Sequence, residues 1–182
     1  MGALLGASRV IDAVNGWVGR TVSWLVLVAI LVSAGNAILR KAFSISSNAW
    51  LELQWYLFSA VFLLAAGYTL LRGEHVKVDI LYGRCSRRTQ LWIEIFGTLF
   101  FLLPFCVVAI LITWPVVVDK YVSGETSGDA GGLIRWPVWA LIPAGFLLLG
   151  LQGLSELIKR IAILSGRIPD IVQTHDHEAD PL

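Results

Sequence analysis

Four uninterrupted runs without a charged side chain constrain this chain more than any other feature. Thr21–Leu39 and Leu53–Leu71 span 19 residues each, Ile95–Val118 spans 24 and Trp136–Ser155 spans 20. Charge bounds every run: Arg20 and Arg40, Glu52 and Arg72, Glu94 and Asp119, Arg135 and Glu156. A helix of about 20 apolar residues crosses the roughly 30 Å hydrocarbon core of a bilayer. Lipid offers no partner to a bare peptide group, so each run is expected to be helical; none shows the period-two alternation of a membrane barrel strand. Composition agrees. Of the 182 residues 57% are hydrophobic and 15% charged, against roughly 25% charged in soluble domains, and so short a chain cannot bury that excess in one water-soluble core. The sequence predicts an all-α membrane protein with transmembrane helices at about residues 21–39, 53–71, 95–118 and 136–155. They form a single transmembrane domain over 1–164, followed by a polar tail over 165–182.

Orientation follows from the basic residues in the short flanks. Ten Lys and Arg lie before helix one, between helices two and three, and after helix four; four lie in the other two links. Basic residues gather on the cytoplasmic side, which puts both termini in the cytoplasm. Tryptophan placement agrees, with Trp50, Trp55, Trp114, Trp136 and Trp139 near the outer boundary and Trp17 and Trp92 near the inner one. Over residues 4–18, Leu4, Ala7, Val10, Ile11, Val14, Trp17 and Val18 share one helical arc, opposite Ser8, Arg9, Asp12 and Asn15; Leu5 breaks the pattern. This predicts an amphipathic helix in the cytoplasmic interface, before the chain turns into helix one. Val32-Ser33-Ala34 has the small residues of a signal-peptide cleavage site, but the long leader and Arg40-Lys41 beyond it argue against cleavage. The third run is overlong, about 36 Å, and Pro104 supplies a cause for a kink. Asn36, Gln152, Gly67, Gly97, Gly145 and Gly150 are candidates for close helix contacts.

Three stretches invite a chemical reading. In "RGEHVKVDIL" (72–81), Arg72, Glu74, His75, Lys77 and Asp79 crowd together, yet His75 is the only nitrogen ligand nearby and a metal needs three or four converging ligands. An interfacial turn pinned by charges is the plainer reading, with docking of a partner as the sharper one. Glu52 and Gln54 open helix two at the rim of the membrane, suited to capping or snorkelling, or to a polar contact with another helix. The outer loop "DKYVSGETSGDAGGLIRWP" (119–137) matches no calcium-loop spacing and reads as a surface loop or a contact for an external protein. The tail "THDHEADPL" reads as solvated.

What the runs lack matters as much. No histidine lies within them and no Asp, Glu, Lys or Arg near their middles, where haem ligands or the coupling groups of ion-driven carriers would sit. No short, broken helix pair forms a transporter's central site. Two cysteines, Cys85 and Cys106, make neither a disulfide framework nor a zinc cluster, and a net charge of +1 gives no sign of nucleic-acid binding. The expectation is a chain with no catalytic, cofactor or metal site of its own, serving a partner. Two other readings stand beside it: a membrane anchor for an enzyme or electron-transfer complex, and a small self-sufficient carrier.

Several motifs, in order, carry a resemblance. Glu52 and Gln54 open helix two, Gly67 lies late in it, and "RGEHVKVDIL" follows it; "SGETSG" (123–128) then precedes "WPVWALIPAGF" (136–146). Over about residues 15–160 the chain resembles the small membrane subunit (Q subunit, DctQ-like) of tripartite ATP-independent periplasmic (TRAP) transporters. That resemblance implies a subunit of the bacterial cytoplasmic (inner) membrane whose partners are membrane lipids, a large permease subunit and a periplasmic substrate-binding protein. It further implies a static scaffold in a system importing an organic acid on a sodium gradient, with sodium handled by the large subunit. Under it Glu52, Gln54, Arg72, His75, Lys77, Asp79, Glu125, Pro137, Pro143 and Gly145 become candidate partner-contact or anchoring residues.

Overall fold

A computed structural model describes residues 2–44, 47–74 and 85–169. The described residues form four long helices: α1 (Gly2–Phe43), α2 (Asn48–Arg72), α3 (Arg87–Ser123) and α4 (Trp136–Leu164). Each is long and apolar enough to cross a membrane, and each overruns its uncharged run by one or more turns. Glycine ends two of them. Gly73 (φ 69°) and Gly124 (φ 63°) take the left-handed conformation at the C-termini of α2 and α3, where a side chain is disfavoured. Behind Gly73, the N–H groups of Gly73 and Glu74 close onto the carbonyls of Leu70 and Thr69.

The N-terminal segment differs from its sequence reading. There is no turn between residues 18 and 21: α1 is one helix of 42 residues, about 63 Å long. Nor does its polar face meet water throughout. Ser8 and Asn15 are buried, whereas Leu4, Val10, Val14 and Trp17 are exposed. Gly19, at the expected turn, is a contact: a Cβ there would stand 2.2 Å from Cγ of Tyr68.

α4 is the hub. It packs against each of the other three helices, α1 also packs on α2, and α3 meets α4 closely but makes no comparable contact with α1 or α2. The result is a three-helix cluster with a fourth helix laid on one side. α2 and α4 run parallel, and small residues let their backbones meet: a Cβ on Gly145 would lie 2.6 Å from the Leu63 carbonyl oxygen, and one on Gly67 3.1 Å from that of Leu148. Gly150 faces Cys106 of α3 at 3.4 Å by the same measure, and Gly153 faces Leu102 at 2.9 Å. Gly97, also a candidate for close contact, meets nothing within 4 Å.

The overlong third helix carries its irregularity just ahead of Pro104. Its hydrogen bonding widens to π spacing over Thr98–Leu102. Pro104 lacks the N–H that would continue the α pattern, and a π segment absorbs such a break within one helix.

Candidate functional site

At one end of the cluster, the loop after α3 is a small ordered hairpin. Thr126 and Ile134 form an antiparallel bridge. Ser127 N–H donates to Leu133 O at 2.9 Å, and Arg135 N–H to Glu125 O at 3.0 Å. The tip closes through Gly132 N–H to Asp129 O at 3.0 Å, with Gly131 at φ 73°.

One face of α2 holds this hairpin. Asn48, Glu52 and Tyr56 are four residues apart, so they stack along one side of the helix. Asn48 Nδ2 donates to Ala130 O at 3.2 Å, Tyr56 Oη donates to Ile134 O at 3.0 Å, and Glu52 Oε2 accepts from Leu133 N–H at 2.6 Å. Ser127 Oγ and Glu52 Oε1 both crowd the Gly132 backbone. Gly132 is needed for the approach: a Cβ there would be 2.4 Å from the Ser127 Cβ and 3.0 Å from Glu52 Oε1. Glu52 is therefore buried, with a charge-assisted bond from the hairpin backbone within the chain. Glu125, by contrast, is half-exposed at the hairpin base, ion-paired with Lys120 and 4.0 Å from Arg135 Nε. Beside it, Tyr121 and Trp136 meet edge to face, centroids 5.4 Å apart.

The other candidates scatter. Gln54 faces away from the hairpin, into a groove of about 660 Å³ between α1 and α2 that Trp55 and Phe58 also line. Pro137 is exposed in the first turn of α4, while Pro143 is buried within it. Gly145 belongs to the α2–α4 contact inside the chain. Arg72 lies at the opposite end of α2, its Nε donating to Tyr68 Oη at 3.0 Å. His75, Lys77 and Asp79 lie outside the described residues. Among the described residues, no three His, Cys, Asp or Glu side chains converge as metal ligands would.

At the end opposite the hairpin is a polar network that pattern reading did not assemble. Asp12 Oδ1 accepts from Ser155 Oγ at 2.7 Å and from Gln152 Nε2 at 2.8 Å; Lys159 Nζ is 3.2 Å from Oδ2. With its proton given to Asp12, Ser155 accepts from Ser8 Oγ at 2.7 Å. Asn15 donates to Gln152 Oε1 at 3.0 Å. Ion pairs continue from Lys159 to Glu156, to Arg160 and on to Glu94 of α3. The sequence holds both halves, a polar stripe at Ser8, Asp12 and Asn15 and another from Gln152 to Arg160, but nothing in it pairs them. Chemically the network fastens α1 and α3 to α4. Its charges alternate in sign and face one another.

A family model described as "Tripartite ATP-independent periplasmic transporters, DctQ component" matches residues 29–162. Neither a curated protein nor a solved structure matches the chain.

Proposed function

The chain belongs to the DctQ-component family of tripartite ATP-independent periplasmic transporters, and from that premise we propose that it is the static, supporting membrane subunit of such a transporter. It sits in the bacterial inner membrane with both termini in the cytoplasm, packed against a large permease subunit. That subunit carries an organic acid inward on a sodium gradient, and a periplasmic binding protein delivers the substrate. This chain contributes no catalytic group and no cofactor.

What supports the scaffold reading is the disposition of charge. Acidic and basic side chains stand only outside the four uncharged runs, and those most enclosed are engaged within the chain: Glu52 with the hairpin, Asp12, Glu156, Lys159 and Arg160 with one another. A coupling site needs ionisable or carbonyl ligands free to bind and release at mid-membrane, and the helices here offer none of the former. An element that moves across the membrane needs a stationary one beside it, and interfacial aromatics and charges hold a helix at fixed depth. The ordered hairpin, with Glu125 half-exposed at its base, supports a second role in docking the binding protein.

Reconstitution into liposomes tests the proposal. The chain alone should take up no organic acid. Adding the large subunit and the binding protein should produce sodium-dependent uptake, and omitting this chain from that mixture should abolish it. Uptake by this chain alone would overturn the reading.

A further inference from the structure

Most enclosed bases in this fold meet an acid: Lys159 and Arg160 in the polar network, Lys120 and Arg135 at the hairpin. Arg20 and Arg72 do not. Both are exposed, and neither forms an ion pair with a carboxylate among the described residues. They nevertheless share one place, the seam between α1 and α2 at the end away from the hairpin. Arg20 Nη1 lies 3.8 Å from the point a Cβ on Gly16 would occupy, and Leu71 Cδ2 lies 3.9 Å from the same point. The neighbouring Gly19 accommodates the Tyr68 ring. That ring carries the Arg72 guanidinium 5.5 Å from its centroid, held by the 3.0 Å Nε–Oη bond. The Arg72 guanidinium thus lies on the Tyr68 ring while the Arg20 side chain reaches the same helix crossing one turn away at Gly16, and the terminal NH₂ groups of Arg72 have no partner among the described residues. Glu74, the nearest acid along the chain, is exposed and attracts Arg72 only from beyond ion-pair distance.

We propose that Arg20 and Arg72 together bind the phosphate of an acidic membrane phospholipid. Depth argues for a lipid over a soluble anion. Arg20 is the residue immediately before one uncharged run and Arg72 the residue immediately after the next, which is the level of lipid phosphates. One turn deeper on α1, Trp24 is 70% exposed, an apolar surface on which an acyl chain rests. Guanidinium is the side chain best shaped for phosphate, since its fork donates two parallel hydrogen bonds, and basic pockets between helices at a membrane boundary are suited to acidic headgroups. The site does not depend on the subunit's role in transport.

The test is lipid retention by the full chain. Purified in mild detergent and offered an equal mixture of phosphatidylglycerol and phosphatidylcholine, the native protein should retain the acidic lipid several-fold in excess by native mass spectrometry. R20Q/R72Q should abolish that preference while elution volume and helical circular dichroism stay unchanged, because both side chains are exposed. R20K/R72K, which keeps charge and loses the fork, should fall between. Inorganic phosphate at tens of millimolar should not displace the lipid. Equal lipid ratios in native protein and R20Q/R72Q would overturn the proposal, and so would full displacement by inorganic phosphate, which would mark a free-anion site. So too would unchanged lipid retention with loss of the large subunit on co-purification, which would assign the pair to a carboxylate of a protein partner.

Discussion

The Glu52 carboxylate and the Leu133 backbone N–H, 81 residues apart in sequence, are joined by a 2.6 Å hydrogen bond. The bond closes the hairpin onto the first turns of α2, and the loop is ordered largely through that face. An acidic residue at the rim of a membrane helix is ordinarily a candidate for a ligand or partner. Here it is a structural staple, and its substitution should read out first in the loop.

Glu52→Ala should therefore raise amide hydrogen exchange over residues 124–135 by an order of magnitude or more, with little change in the body of α2. Glu52→Gln keeps an acceptor for Leu133 N–H and loses only the charge, so its effect should be smaller. Equal exchange in native protein and Glu52→Ala would show that the hairpin holds itself.

Glu125→Lys should reduce uptake by the assembled transporter several-fold without removing the subunit from the membrane. Glu125 neutralises Lys120 and approaches Arg135 on an exposed surface. Reversal places three cations together where the binding protein is proposed to dock. Uptake with and without the substitution, normalised to membrane-inserted protein, decides it. Unchanged uptake would remove the hairpin base from the docking surface.

Gly145→Ala and Gly97→Ala should part company. A Cβ on Gly145 would press on the Leu63 carbonyl at 2.6 Å, and backbone cannot step aside as a flexible side chain can. Overpacking of this kind costs about 1–3 kcal/mol. At Gly97 a Cβ meets nothing within 4 Å, so alanine there should be neutral or raise stability by up to about 1 kcal/mol through helix propensity. Thermal unfolding in detergent should show a lowered midpoint for the first and none for the second.

Asp12→Asn should loosen the first half of α1 from α4. The pair with Lys159 is partly open, its side chains 28% and 25% exposed, so the loss should be about 1 kcal/mol, nearer that of a surface ion pair than the several kcal/mol of a buried one. Faster hydrogen exchange over residues 5–15, with exchange at Gly145 unaltered, is the expected signature. Ser155→Ala should act in the same direction, since its hydroxyl links Ser8 to Asp12.

The sequence by itself determined the spans. Charged residues cannot be scattered through a lipid-embedded helix, so their absence over four runs marks the four helices, and the DctQ-like motifs lie at the run boundaries where charge returns. It also exposed the two faces of residues 4–18. Tertiary structure alone decided what the polar face meets. In a membrane protein the apolar face turns to lipid and the polar face turns to protein, so Ser8 and Asn15 are buried on α4 while Trp17 looks outward. The same holds at the other end. Asn48, Glu52 and Tyr56 are spaced for one face of α2, but only the return of the chain after α3 brings Leu133 to that face. Periodicity is local and survives in the sequence; a partner 81 or 140 residues away is chosen by how the helices pack.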